Sequence, residues 1–524
     1  MLRRVPVIAL LLGFMALAML IPMAHAAISA DWRVSRGFLY AALFGLFLAG
    51  SVALLLRPMQ ANDTARHELL TLLVLWISLP VYACLPLVLL SPAIGVTGAW
   101  MEMVAALTTT GGTVYPDVEA VPPSIHLWRG IVGWLGGLLT LMAAYVILAP
   151  RRLGGYEIMA AEDGLGDMRS VDLRETGAVF ESRTYRALRT ILPIYLGLTL
   201  ALGMAFNVLD KPGLIAAVHA MSILSTSGIS PLKDGIASTG NWGAEVAALI
   251  FMVLAATRLV YSPAAQGGAG ARNLRSAAYD PELRLMFGVV LLATAALYLR
   301  HWVGVLTIDE EIGAADGFVA LWGAGFTAVS FVTTTGFQSF AWESARDWSG
   351  LANPGLVLLC LCAIGGGAAT TAGGIKLIRA HALLRHGVRE VERIASPNSV
   401  TGARHGSRRL RRDGAIIAWA FMMLFFFVLL ATILGLTLTG LSFDQALIAA
   451  VAALSNTGPA FAMVAERPEG FAGLDMAQHT ILSAAMILGR IETLAVIALF
   501  NPDGWSLGAV HKKNTGKSGA KPSI

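Results

Sequence analysis

A four-residue motif of polar residues ending in glycine occurs four times in the chain. Each copy has hydroxyl or amide side chains in its first three positions and glycine in its last. The four tetrads are Thr108-Thr109-Thr110-Gly111, Ser225-Thr226-Ser227-Gly228, Thr333-Thr334-Thr335-Gly336 and Ser455-Asn456-Thr457-Gly458. A dehydrated cation in a membrane needs oxygen ligands, which rings of backbone carbonyls can supply. Glycine permits the positive φ and close approach with which such carbonyls converge.

The tetrads also indicate which ion they suit. None of them contains Asp or Glu, which speaks against a carboxylate ring for divalent ions. Carbonyls and hydroxyls favour K⁺ or another monovalent cation. The predicted ion-binding residues are the last three of each tetrad, namely Thr109, Thr110, Gly111, Thr226, Ser227, Gly228, Thr334, Thr335, Gly336, Asn456, Thr457 and Gly458.

The composition predicts a membrane protein. The 524 residues are 56% hydrophobic and 14% charged, whereas a soluble domain carries about 25% charged residues. The net charge of +5 follows from basic loops and does not indicate nucleic-acid binding. Cys84, Cys360 and Cys362 lie in apolar stretches, which predicts buried thiols without a disulfide framework. No catalytic constellation is evident, so we do not expect an enzyme.

Each tetrad occupies the same place in a repeat with a period of roughly 110 residues. A leading span comes first, at 68–91, 187–208, 284–304 and 414–439. A segment too short to cross a bilayer follows and predicts a re-entrant pore helix, at 97–107, 213–224, 317–332 and 443–454. A trailing span ends the repeat, at 127–148, 242–261, 352–376 and 476–499. We therefore expect an all-α polytopic membrane protein with four pseudo-fourfold repeats around a central pore.

The predicted domains follow from this pattern. Residues 1–67 form two N-terminal transmembrane helices, and the pore repeats occupy 68–186, 187–283, 284–412 and 413–504, followed by a cytoplasmic tail at 505–524. The apolar stretch at 5–23 precedes Ala24-His25-Ala26, which resembles a cleavage site. It is either a signal peptide or a retained first helix.

Charge sets the predicted orientation. Basic residues concentrate in 151–189, 258–284, 376–412 and after 511, which all lie on one side of this topology. By the positive-inside rule that side is cytoplasmic, so both termini are cytoplasmic and the tetrads enter from outside. The basic segment at 379–412 contacts lipid headgroups or docks an acidic or nucleotide-binding partner.

Two features break the fourfold symmetry. The third trailing span alone contains a glycine-rich segment, residues 365–374, which cannot be a good helix. Unwound backbone at membrane depth lines a cavity or packs on protein, so this segment is a candidate intramembrane gate or a close-packing surface. Arg490 lies inside the last span and either contributes to the gate, by donating to carbonyls of that segment, or forms a buried ion pair. The predicted gate residues are Gly365, Gly366, Gly367, Thr370, Thr371, Gly373, Gly374, Lys376 and Arg490.

Several of these motifs together resemble the Trk/Ktr/HKT superfamily of K⁺ transporters, and within it the TrkH type. The resemblance covers nearly the whole chain. It rests on Glu102 before the first tetrad, Trp128-Arg129, Trp134-Leu135-Gly136-Gly137, Arg174-Glu175-Thr176, Ile194-Tyr195-Leu196-Gly197-Leu198-Thr199, the third tetrad with Phe337, the run from Gly365 to Arg379, and Gly489-Arg490.

The resemblance implies K⁺ uptake across a bacterial inner membrane, an intramembrane gate at 365–374 and a pore-facing Arg490. It also implies a homodimer and a cytosolic, TrkA-like nucleotide-binding regulatory subunit, with K⁺ as the transported ion and no organic cofactor. Gly111 is similar to the K⁺-preferring members, and the extra N-terminal spans favour a retained first helix.

Two functional classes remain. One is a channel-like pore that K⁺ enters down the membrane potential. The other is a proton- or sodium-coupled symporter with alternating access, which would need a titrating intramembrane acid. Glu492 is the nearest candidate for such an acid in the sequence.

Overall fold

The computed structural model describes residues 7–55, 65–149, 178–209, 213–261, 280–304, 314–351, 353–395, 405–467 and 469–491. Regular structure in these ranges is helical throughout, without a strand. Seven of the helices described are long and apolar enough to cross a bilayer. Glu492, the acid considered for a coupled carrier, lies outside the described residues.

Three N-terminal helices, Val7–Ala18, Leu20–Ile28 and Trp32–Leu55, precede the repeats. They pack on one another and on the first repeat. Tyr82 of that repeat donates a hydrogen bond to the carbonyl of Ala41 at 3.0 Å, and His25 bonds Ser124 at 2.8 Å. The first apolar stretch is therefore packed into the bundle.

The four repeats share one plan. The leading helices are Ala65–Ala83 (continued by Leu85–Leu90), Ala178–Leu209, Pro281–Gly304 and His405–Leu438. The pore helices are Gly95–Leu107, Leu214–Leu224, Ala314–Val332 and Phe443–Leu454. The trailing helices are Pro123–Ala143 (continued as a π-helix over Ala144–Leu148), Trp242–Ala255, Gly355–Ile364 and Met476–Ile491. Short helices at Trp342–Ser349 and Pro459–Val464 follow the third and fourth tetrads.

Packing closes the repeats into a ring. Each pore helix lies against the trailing helix of its own repeat and against the trailing helix of the preceding repeat. The first pore helix contacts the fourth trailing helix, which completes the circle. A linear array would leave the first and fourth repeats apart, so these contacts establish the pseudo-fourfold arrangement.

The trailing helices of the second and third repeats differ from the predicted spans. The second ends at Ala255 and the third at Ile364, because backbone incompatible with an α-helix follows each. Gly365 takes a φ of 75°, and the helix resumes only at Leu377–Ala395. All four leading helices begin before the predicted spans, the second and fourth by the largest margin, at Ala178 and His405. Cys360 is exposed, so the expectation of a buried thiol was wrong there.

Candidate functional site

The four tetrads end their pore helices in the same backbone conformation. In each, the N–H groups of the first three residues bond to carbonyls four, three and five residues earlier, as in the Schellman ending of a helix. The second residue is left-handed in every copy, with φ values of 55° at Thr109, 52° at Thr226, 59° at Thr334 and 54° at Asn456. Local helix-ending geometry thus places four equivalent loops.

The hydroxyls of the first and third positions brace each loop. They bond to each other at 2.8 Å between Thr108 and Thr110 and at 3.0 Å between Ser225 and Ser227. The equivalent distance is 3.1 Å in the third tetrad and 3.3 Å in the fourth. These bonds fix the turn and leave a backbone carbonyl at each position as the candidate cation ligand.

The tetrad glycines lie where consecutive repeats meet. A Cβ added to Gly111 would overlap the Ser227 carbonyl oxygen, and one added to Gly228 would overlap the Thr335 oxygen. One added to Gly458 would lie 2.8 Å from the Thr110 oxygen, closing the circle from the fourth repeat to the first. Gly336 faces the fourth repeat instead through Pro459, 3.1 Å away. Glycine is required because a neighbour's backbone occupies the side-chain space.

The fourth tetrad departs from the other three. Gly111, Gly228 and Gly336 have positive φ values of 74°, 66° and 81°, whereas Gly458 has a helical φ of −58°. Its N–H donates to the Thr110 carbonyl at 2.6 Å. All twelve predicted ion-binding residues are brought into this ring, but the copies are not equal.

The second-position side chains connect the ring to its surroundings. A left-handed conformation costs an L-residue about 1–2 kcal/mol, and a threonine is an unusual occupant. Thr334 accepts the Gly373 N–H at 2.8 Å, and Thr226 donates to Thr371 at 3.2 Å. Two of these strained residues therefore bond to the glycine-rich segment.

Asn456 connects the fourth tetrad to the first tetrad and to the last helix. Its amide donates to Thr110 Oγ1 and to the Met486 carbonyl, both at 3.0 Å. The first repeat is different, because the buried Thr109 hydroxyl has no hydrogen-bond partner among the described residues.

The glycine-rich segment folds back on itself beneath the tetrads. Ile375 and Lys376 donate N–H bonds to the carbonyls of Ala363 and Ile364, both at 3.0 Å. A Cβ on Gly365 would overlap the Gly373 carbonyl. The segment is buried, and added Cβ atoms on Gly365, Gly367, Gly373 and Gly374 would meet backbone. Both the close-packing surface and the gate remain predictions for this segment.

Arg490 joins the glycine-rich segment to the first tetrad. Its Nη1 donates to the Thr371 carbonyl at 2.6 Å, and its Nε donates to the Thr108 carbonyl at 2.8 Å. Arg490 is 7% exposed. Lys376, also on this side, donates through Nζ to the Ala372 carbonyl. The expected contact between Arg490 and the glycine-rich segment is present, made to carbonyls.

A small cavity of about 30 Å³ lies beside these two cations. The residues that line it come from the first repeat, the glycine-rich segment and the last helix, and they include Trp76, Thr140, Gly373 and Arg490. Such a volume is large enough to hold water.

Three buried acids also position the site, and the sequence reasoning used only Glu102, as a family motif. Glu102 pairs with Arg129 and accepts the Val114 N–H at 2.8 Å, which secures the loop after the first tetrad. Glu245 is fully buried and accepts the Phe340 N–H at 2.7 Å, so a helix of the second repeat secures the loop after the third tetrad.

The third acid, Glu282, accepts the N–H of Ala368 in the glycine-rich segment. Sequence reasoning missed Glu245 and Glu282. The signal was available, because an acid within or at the end of an apolar span is expensive and therefore a functional candidate.

The fold and the site together define a class, a polytopic membrane protein whose four re-entrant helices bring four oxygen-rich loops into one ring. The sequence model of TrkH, described as a cation transport protein, matches residues 39–507. The chain belongs to the TrkH family.

Individual relatives agree with this assignment. The Trk system potassium uptake protein TrkI of Halomonas elongata is 30% identical, over 82% of each chain. The Trk system potassium uptake protein TrkH of Salmonella typhimurium is 28% identical, over 84% of this chain and 86% of the relative. The crystal structure of the potassium transporter TrkH from Vibrio parahaemolyticus superposes with a TM-score of 0.77 at 25% identity, covering 95% of this chain and 98% of that one.

Proposed function

We propose that this chain is a potassium uptake protein that conducts K⁺ through the ring of four tetrads. The observation that carries the proposal is the shared helix-ending geometry of the tetrads, closed into a circle by contacts of each tetrad glycine with the next repeat around the ring. The relatives named as potassium uptake proteins support K⁺ as the transported ion. The twelve tetrad residues named above serve as the filter, chiefly through their carbonyls.

The glycine-rich segment and Arg490 serve as the gate beneath this filter. Supporting contacts run from the segment to three repeats, through Thr226, Thr334 and Arg490. Gly365, Ala369 and Gly374 have positive φ values. Such backbone suits a segment that exchanges between two arrangements. Opening requires the Arg490 bond to Thr371 to break.

Transport follows the membrane potential, which contributes ~2.3 kcal/mol per charge for each 100 mV. A proton- or sodium-coupled symporter is the second candidate, favoured by one observation, the buried carboxylate of Glu282 next to the glycine-rich segment. The pore is preferred because Glu282 is paired with Arg258 and is bonded to the backbone of the segment, which accounts for its presence.

The proposal also covers the membrane, the orientation, the domains and the partners of the protein. The protein lies in a bacterial inner membrane with both termini cytoplasmic, an orientation supported by the basic segments. The packed N-terminal helices support a retained first span. The domain boundaries proposed from the sequence are kept, except that each repeat begins with its leading helix, at Ala65, Ala178, Pro281 and His405. The protein functions as a homodimer with a nucleotide-binding regulatory subunit. The multi-component name of the Trk system supports the regulatory subunit.

Flux into proteoliposomes tests the proposal. Purified protein is reconstituted, and ⁸⁶Rb⁺ uptake is measured at fixed K⁺ gradient while the voltage and the pH gradient are varied separately. Uptake that follows voltage and ignores a pH or Na⁺ jump is expected. Uptake abolished by collapsing the pH or Na⁺ gradient alone would establish the symporter instead, and the absence of cation uptake under every condition would refute both.

A further inference from the structure

A charged cluster contacts the glycine-rich segment at Ala368, three residues before the Thr371 carbonyl that Arg490 binds. Glu282, in the first turn of the third leading helix, accepts the Ala368 N–H at 3.0 Å and is 4% exposed. Arg258, in the turn that follows the second trailing helix, lies 3.5 Å from Glu282 and 3.4 Å from Asp280. Two repeats thus contribute opposite charges beside one backbone N–H.

Hydrogen bonds from two repeats fix the positions of Glu282 and of the segment beside it. Asp280 accepts the backbone N–H of Glu282 at 2.8 Å, which caps the helix start. The carbonyl of Ala256, close to Arg258, accepts the neighbouring Gly367 N–H at 3.2 Å. A Cβ on Gly367 would lie 2.6 Å from the Ala256 oxygen. The adjacent N–H groups of residues 367 and 368 therefore bond to two different repeats.

Different side chains hold the two ends of the segment. Thr371 and Gly373 are held to the filter side, through Arg490 and Thr334. Ala368 is held instead by the side chain of Glu282. A segment that moves away from the filter must also stretch or break the bond at Ala368, because only Ala369 and Thr370 separate Ala368 from Thr371.

We propose that Glu282 is a positioning residue of the gate, which holds the glycine-rich segment closed through Ala368, while Arg258 holds the Glu282 side chain in place. This inference rests on the proposed gating role of the segment. It assigns the closed state a second anchor, in the third repeat's leading helix and independent of Arg490. Glu282 touches neither the ion nor the tetrads.

Two substitutions separate the bond from the charge. Glu282→Ala removes the acceptor of the Ala368 N–H, and Glu282→Gln keeps an acceptor oxygen but loses the charge that attracts Arg258. Glu390→Gln is the matched control, because Glu390 pairs with Arg393 on the exposed helix after the segment. The readouts are basal ⁸⁶Rb⁺ flux and the K⁺-to-Na⁺ flux ratio in proteoliposomes.

We expect basal flux to rise about tenfold in Glu282→Ala and about threefold in Glu282→Gln, with an unchanged ion ratio and wild-type flux in Glu390→Gln. Wild-type flux in Glu282→Ala overturns the inference, as does a rise accompanied by lost selectivity. If the alanine variant does not fold, Glu282→Gln alone decides, and wild-type flux in it overturns the inference. Increased flux in Arg490→Ala without any in the Glu282 variants refutes this anchor only. Failure of the wild-type protein to conduct K⁺ refutes the proposed function itself.

Discussion

Replacing Arg490 by alanine is expected to raise basal K⁺ flux strongly. The substitution removes two charge-assisted hydrogen bonds, to Thr371 at 2.6 Å and to Thr108 at 2.8 Å. Each such bond contributes about 1.5–3 kcal/mol. Only the Thr371 carbonyl lies on the segment proposed to move, so the closed state loses about 1.5–3 kcal/mol relative to the open state. That difference predicts roughly a 10- to 140-fold increase in the population of open gates.

Three variants make the measurement specific. Arg490→Ala, Arg490→Lys and Arg36→Ala are reconstituted at equal protein-to-lipid ratios, and ⁸⁶Rb⁺ flux is recorded at a fixed voltage without a regulatory subunit. Arg36 is the control, because this exposed arginine donates, within the described part of the chain, only to the carbonyl of Trp32 in its own helix. The lysine retains the charge but lacks the fork that reaches two carbonyls, so its flux is expected to fall between wild type and alanine.

The relative fluxes of these variants test whether Arg490 belongs to the gate. Equal flux in Arg490→Ala and wild-type protein, with a normal melting temperature, would show that Arg490 is a structural residue and would refute the gate assignment. A lysine variant as active as the alanine variant would indicate that both carbonyl contacts are needed. Increased flux in Arg36→Ala would show that the assay reports general damage to the fold.

Two further substitutions test the filter and its connection to the segment. Gly111→Ser should lower the K⁺-to-Na⁺ flux ratio about tenfold or more, because its Cβ would displace the Ser227 carbonyl. Gly95→Ser, at a φ of 67° in open space, controls for backbone strain, and an equal effect of both would contradict the carbonyl argument. Thr334→Val removes the acceptor of the Gly373 N–H and should raise basal flux about three- to tenfold. Thr334→Ser should restore wild-type flux, and unchanged flux in the valine variant would remove this contact from the gate.

Much of the architecture could be predicted because it is local or periodic. Apolar length distinguishes a span from a re-entrant helix, and the hydroxyl-rich tetrads mark where each pore helix ends. The second trailing span was predicted too long, since apolar residues continue past Ala255 although the helix does not. Hydropathy measures whether a segment tolerates lipid, and it does not report where the backbone stops being helical.

The contacts of Glu245 and Glu282 could not be predicted, because they join segments far apart in the chain. Glu245 bonds Phe340 of the next repeat, and Glu282 bonds Ala368. The sequence showed only that each acid lies in or beside an apolar helix. Which backbone group neutralises a buried carboxylate depends on the register of two packed repeats.

The sequence by itself determined the class of protein, the four tetrads, the glycine-rich segment and the exceptional Arg490, since residue type and spacing carry that information. Tertiary structure alone decided that each glycine faces a neighbouring repeat and that Arg490 bonds two carbonyls rather than an acid. It also decided that Glu282 accepts a hydrogen bond from the segment, at Ala368. The physical reason is that an isolated repeat leaves these donors and acceptors unpaired, and only closure of the ring brings their partners within bonding distance.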